Sequence, residues 1–493
     1  MKVLIVLLFA MLYSTDAFAQ YCEKDCYSSQ VNMPETFEIR HGLDVFISPK
    51  TSLYSLHSIS VTKEFHPNLY FGQSLYSAVS GDAGGLFVGG FELSKKSRIK
   101  NNKHFEVGGF VGGGGGASLV PGDGMMSKVF INMKQKLFSD YSGSIGLSFV
   151  NITGSNVSAA GLNFSVSKSK HYAMSFGHLD RQVNSGRVLV SFKPIVKQFL
   201  SNGNLKRSGP VLNKMYLTGI EAVFSQRPRS LSESFVQTTG AIHGDGEGYA
   251  DIQFGYRIKT SQVGFTGFME TAVGFGGGGD VDTGGGLLGS LGVGMSVPIL
   301  FGSELELGFQ KIKSLDGAFD ALSPFIKTSI NFNKKEKAYK EKRSWQLSIG
   351  LSNQLANNDY RKPGNNNNNS PTLIENSIDL FLTKKTYFSG NAQTVIAGDA
   401  GGYAIGLLGI GYAEPLNDYF TVAFEGKFGA AGGGGVDTNG GIVGAVNLEL
   451  DYNIKDNLAL SFGFGQMQNL HGKDGANPVT IHLGLKTNFV TYH

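Results

Sequence analysis

The chain is poor in the residues that most often announce chemistry. It has only two cysteines and one tryptophan in 493 residues. Charged residues are 17%, against a globular norm of about 25%. Cys22 and Cys26 stand four apart near the start with no further cysteine and no nearby histidine, too few ligands for a tetrahedral metal site. No metal is expected there; the pair reads as a candidate disulfide closing a small local loop in an oxidising compartment. The formal net charge is only +4, and no basic stripe with interleaved aromatics occurs, so nucleic acid is excluded as a partner. Beyond the N-terminus no apolar run approaches the roughly 20 residues of a spanning helix. Any membrane span must then be a closed β-barrel, the other structure that satisfies its backbone in lipid.

Chemical motifs are equally scarce. Gly-x-Ser-x-Gly is absent, and the ten histidines are scattered. His178 and Asp180 lie two apart, and His482 sits near the end; neither belongs to a recurring set, so both read as isolated histidines. The expectation is no catalytic residue, no cofactor and no enzyme.

What is present begins at the N-terminus. Met1-Lys2, the apolar run Val3 to Leu12 and Ala17-Phe18-Ala19 before Gln20 have the order of a secretory signal peptide over 1–19. Gln20 and Tyr21 precede Cys22, so a lipoprotein site is not expected. The mature chain opens with a short segment, 20–34.

Glycine is abundant, 69 residues, about twice the average usage of ~7%, and its placement repeats. Gly81-Asp82-Ala83-Gly84-Gly85 recurs as Gly398-Asp399-Ala400-Gly401-Gly402, with a degraded copy from Gly244 to Gly248. Glycine runs start at Gly112, Gly276 and Gly432, and the last two continue as Val281-Asp282-Thr283 and Val436-Asp437-Thr438, offset by 155. The chain therefore divides into three diverged copies, 35–170, 171–333 and 343–493, with a charged linker at 334–342. Units this long are too large for propeller blades or solenoid coils.

The glycine runs lack the Lys-Ser/Thr and following helix of a phosphate loop. They also lack the tandem nonapeptides of a calcium-binding β-helix, which leaves Asp280 and Asp282 a weak calcium alternative. Gly112, Gly276 and Gly432, with Asp282 and Asp437, read instead as structural hairpins that curl into a lumen or gather near a pseudo-threefold axis.

Within the copies the apolar period is two. Phe420, Val422, Phe424 and Phe428 share one strand face while Thr421, Glu425 and Lys427 share the other. Val446, Leu448, Leu450 and Tyr452 oppose Asn447, Glu449 and Asp451; Leu305, Leu307 and Phe309 oppose Glu304 and Glu306. Short turns such as Lys455-Asp456-Asn457 imply antiparallel hairpins, seven or eight strands per copy. The stretch from Ala356 to Leu373, with Asn365 to Asn369, reads as a solvated loop.

The final strand, Thr480 to Phe489, carries Gly484, Leu485 and Thr487 and ends on an aromatic. It resembles the C-terminal signal of bacterial outer-membrane β-barrels. That resemblance implies an all-β fold, an antiparallel transmembrane barrel in contact with outer-membrane lipid. One large barrel built from the three repeats is favoured over three tandem small ones. The expected function is a passive channel or transport pore for an unknown small solute or polymer, lined by Thr421, Glu425, Lys427, Asn447, Glu449, Asp451, Glu304 and Glu306. The alternative is an exported structural or adhesive protein at the cell surface or in the periplasm that conducts nothing.

Overall fold

The computed structural model describes residues 35–47, 49, 53–100, 103–116, 124–138, 141–172, 174–175, 189–201, 206, 208–225, 231–246, 248–261, 265–299, 304–329, 342–363, 369–439, 441–455, 457–470 and 475–492. The expected signal peptide, Cys22, Cys26, His178 and Asp180 lie outside them.

Every long element is a β-strand, and neighbours in sequence pair antiparallel. Strands from Glu35–Phe46 to Ser158–Tyr172 close one eight-stranded barrel, and those from Leu189–Ser201 to Asp320–Ser329 close a second. Lys342–Leu355 to Val479–Tyr492 form the third, closed by pairing of its first and last strands. The two-residue strand Met174–Ser175 adds to the end of that last strand at Thr491 and Val490.

The fused single wall favoured from the sequence is therefore not the arrangement seen. The first strand of each copy pairs with the last strand of the same copy, Val45 opposite Leu162, Ile195 opposite Lys327 and Ile349 opposite Leu485. Each copy thus closes on itself, with the overhang at Val490 and Thr491 that takes up Met174–Ser175 as the edge left over among the described residues.

Strand alternation fixes what faces where. Phe424, Phe428, Leu448, Phe462 and Leu483 point outward, with Phe428 61% exposed, while Glu425, Lys427, Asn447 and Glu449 between them are buried inside. Leu291 and Val293 in the second barrel, and Val129, Ile145 and Leu147 in the first, are likewise exposed. An apolar exterior around a charged interior is the reverse of a water-soluble core and matches hydrocarbon surroundings. Strands of 10 to 15 residues, rising about 3.3 Å per residue, cross an apolar band of ~25 Å even when tilted. The fold is that of an outer-membrane β-barrel, in three copies.

Turns are short at one end of each barrel, as where Asn68, at φ 64°, joins His66 to Leu69. All the glycine motifs lie at the opposite end, between strands such as Leu69–Gly81 and Phe87–Lys100 or Phe420–Gly432 and Ile442–Lys455. The described residues fall into two compact units. One holds the second barrel with the segment Ala78–Gly85, in which Gly84 N–H donates to Gly284 O at 2.7 Å. A Cβ on Gly84 would stand 2.4 Å from that same oxygen, so the repeated Gly-Asp-Ala-Gly-Gly turn needs glycine for close approach. The other unit holds the rest of the first barrel with the third. There Gly402 N–H donates to Gly114 O at 3.0 Å, and on the outer strand faces Gln73 Nε2 donates to Asn376 Oδ1 at 3.0 Å.

Candidate functional site: the barrel interiors

An eight-stranded barrel leaves an interior only wide enough for side chains to fill, and alternation directs one polar residue in two into it. The three interiors solve the resulting electrostatic problem differently.

In the second barrel Arg257 is the hub. Its guanidinium donates to Glu270 at 2.9 Å, Glu233 at 2.8 Å and Glu221 at 2.8 Å, and neither it nor Glu221 is exposed. Lys327 reaches Glu221 at 2.5 Å, Lys193 reaches Glu306 at 2.5 Å, and Lys197 lies 3.7 Å from Asp251. Lys259 completes the set on Glu233 at 2.5 Å. Among the described residues, five buried carboxylates thus meet five bases. The planar guanidinium suits this role because its fork of donors binds several carboxylates at once.

The first barrel is also balanced. Arg40 pairs with Glu92 and Glu106, Lys128 with Asp44 at 2.7 Å, and both Lys96 and Lys134 with Glu38. Asp44 gains further donors from Ser148 and Asn163. Four buried acids face four bases.

The third interior is acidic. Lys486 pairs with Glu449 and with Asp451 at 2.9 Å, Lys427 pairs with Glu425, and His482 lies 3.2 Å from Glu449. Glu375 accepts the Asn391 amide at 2.6 Å and forms no ion pair within 4 Å among the described residues. Asp379, 2% exposed, has no base within ion-pair distance among the described residues. Five carboxylates share two lysines and a histidine.

The residues picked from the sequence occupy definite places in this pattern. Glu425, Lys427, Asn447, Glu449 and Asp451 are buried in the third interior, and Thr421 lies half-buried toward its short-turn end. Glu306 is buried in the second, beside Lys193, whereas Glu304 stands half-buried at a strand end and accepts from Ser296 at 3.0 Å. Of these, Glu425, Lys427, Glu449, Asp451 and Glu306 are members of buried ion pairs. Sequence reasoning missed Arg257, Glu221, Glu233, Glu270, Glu375 and Asp379. The signal for them was the same alternation, in strands such as Ile374-Glu375-Asn376-Ser377-Ile378-Asp379-Leu380.

The glycine hairpins act at the other end. Gly112 and Gly276 lie within strands, and Gly432 ends one. Beyond the last two, Val281 and Val436 turn inward and are buried in apolar clusters, Val281 with Phe199, Tyr249 and Phe319, Val436 with Tyr360, Tyr403 and Met467. Asp282 accepts the Gly284 and Ala318 N–H groups, and Asp437 the Asn439 N–H, so these carboxylates brace turns. Asp280 accepts from Ser208. No group of three or more histidine, cysteine or acidic side chains able to hold a metal occurs among the described residues.

The loop expected to be solvated is partly folded inward. Tyr360 is fully buried and donates to Gln354, while Arg361 donates to the carbonyls of Gly398 at 2.7 Å, Asn369 at 3.0 Å and Gly434 at 3.1 Å. An aromatic inside the loop had a core to join, and the asparagine-rich composition around it concealed that. Outside the strands, Asp245 is held below the usual carboxylate range by the Asn213 backbone N–H that it accepts at 2.9 Å. Burial pushes Asp316 up, against the Gly285 N–H that bonds it.

No protein-family model matches the chain, and no curated protein matches it. Among solved structures it is similar to the siderophore receptor PirA of Acinetobacter baumannii, at 8% identity over 93% of this chain and 81% of that one, with a TM-score of 0.26. PirA of Pseudomonas aeruginosa gives 10% identity, the same coverages and a TM-score of 0.28. OccK11 (OpdR) of Pseudomonas aeruginosa gives 12% identity, 93% and 96% coverage, and a TM-score of 0.20. Superpositions this poor carry no functional inference.

Proposed function

We propose that this chain is an integral outer-membrane protein of the porin-like barrel class whose barrels are closed to bulk solute, a membrane-embedded scaffold that presents its glycine-turn ends at the cell surface. The observation that carries this reading is the double closure of the second and third barrels. Buried ion pairs fill the interior, and an apolar cluster seals the glycine-turn end around Val281 in one and Val436 in the other. Moving an ion past Arg257 would require separating charges already taken out of water, at a cost of several kcal/mol per uncompensated ion. The signal-like N-terminus and the exposed apolar bands support outer-membrane lipid as the surrounding partner. Short turns then face the periplasm and the longer loops the exterior.

A passive pore for a small solute is the second reading, favoured by interiors lined along their length with polar side chains. The test is purified full chain in planar bilayers, after heat-modifiability on gels has shown that it is folded. The scaffold reading expects folded protein with no stepwise conductance. Reproducible steps from heat-modifiable protein would overturn it and restore the pore.

A further inference from the structure

We propose that the Gly-Asp-Ala-Gly-Gly turn is a docking element by which one barrel of this repeat seats on the glycine run of another, so that docked barrels stay together without the covalent links between copies. The observation is a recurrence. Inside one compact unit the first copy's turn, at 81–85, lies on the second barrel, where Gly84 N–H donates to Gly284 O. A Cβ on Gly85 would stand 2.5 Å from Gly277 C, and one on Gly277 would stand 2.6 Å from Gly84 C. Inside the other unit the third copy's turn, at 398–402, lies on the first barrel, where Gly402 N–H donates to Gly114 O. There a Cβ on Gly115 would stand 2.5 Å from Gly402 N. Two seams between different copies thus pair the same five-residue turn with the same kind of surface. The first barrel takes part in both, offering its turn in one and receiving a turn in the other, which is the head-to-tail pattern of a heterologous interface.

Glycine permits this because two backbones can approach to hydrogen-bonding distance where a side chain would hold them apart. The middle copy supplies the contrast. Its turn reads Gly244-Asp245-Gly246-Glu247-Gly248, with Glu247 at the position of Gly84, and a docked Gly84 leaves no room for a Cβ. This turn is bound by its own barrel instead. Asp245 N–H donates to Lys214 O at 3.0 Å, and Asp245 Oδ2 accepts the Asn213 N–H at 2.9 Å. The partner that the glycine run fits is therefore a turn of the intact five-residue sequence from another copy of the repeat. The inference goes beyond the scaffold reading and stands apart from it, because fragment association is read whether or not the barrels conduct.

The experiment places a protease site in the charged linker at 334–342 of the full chain and cuts the folded, heat-modifiable protein in detergent. The expected result is that the third-barrel fragment still co-elutes with the remainder in size-exclusion chromatography. Gly113 is the position to change. It lies in the strand Lys103–Gly115 outside the left-handed region, and the atoms nearest a Cβ there belong to the third barrel, Ile396 Cγ2 at 2.5 Å and the Val395 carbonyl. Gly113→Leu is expected to raise the released fraction severalfold while the uncut protein stays heat-modifiable. Gly406→Leu, at a site where a Cβ meets nothing within 4 Å, is expected to release no more than the unaltered protein. Should Gly113→Leu fail to fold, Gly402→Leu attacks the same seam from the turn and is expected to release the fragment likewise. Release from the unaltered protein on cutting, or equal retention in the seam variant that folds and in Gly406→Leu, would overturn the proposal.

Discussion

The second and third barrels share strand number, topology and an apolar seal, yet their interiors are opposites. One is saturated around Arg257; the other has carboxylates to spare. A transmembrane barrel thus constrains which strand face is polar more tightly than which charges stand there, since a slip of one residue exchanges the faces. Balance within the interior is then a local matter that each copy has resolved separately.

The largest expected effect breaks the saturated side. Arg257→Met leaves Glu221, Glu233 and Glu270 buried without their hub and is expected to cost about 3–5 kcal/mol in urea unfolding from liposomes. Adding Glu221→Gln and Glu270→Gln should recover part of that loss. An unchanged midpoint in the single variant would erase the contrast between the barrels. Next in size is the feature they share. Val281→Asp and Val436→Asp each place an unpaired carboxylate in an apolar cluster, at about 2–4 kcal/mol, and the two losses should be alike. A loss in only one would mean that the seals are not equivalent.

Removing a single acid separates the interiors most directly. Glu270→Gln weakens a charged hydrogen bond to Arg257 and should cost about 1.5–3 kcal/mol, whereas Asp379→Asn should be neutral or stabilising by up to about 1 kcal/mol. Equal losses would show that the third interior is paired after all. The smallest effect lies outside both interiors. Gln73→Ala removes a hydrogen bond between outer strand faces and is expected to cost about 0.6 kcal/mol, detectable in a double-mutant cycle with Asn376→Ala.

Much of this was legible in the sequence because the physics behind it is local. Alternation through Phe420 to Phe428 and Val446 to Tyr452 identified the buried polar face, and the constant offset between Val281 and Val436 identified equivalent hairpins. Closure was not legible, because the same alternation serves a wall of any width. Only the pairing of first and last strands within a copy decides it. The charge balance was hidden for a related reason. Glu221, Glu233 and Glu270 come from three different strands, and their shared dependence on Arg257 exists only once register has set them around one guanidinium. Tyr360 was hidden by its neighbours, since a buried aromatic in an asparagine-rich stretch leaves no periodic trace.

The short strand Met174–Ser175 follows the first barrel in the chain but pairs with Val490 and Thr491 of the last strand. Its backbone bonds therefore wait until the final strand has been made and placed. Whatever order the barrels themselves follow, this seam closes only after the second barrel, which lies between its two strands in the sequence, has been made. The C-terminal strand is both the last stave of one barrel and the clasp that returns the chain to the exit of another.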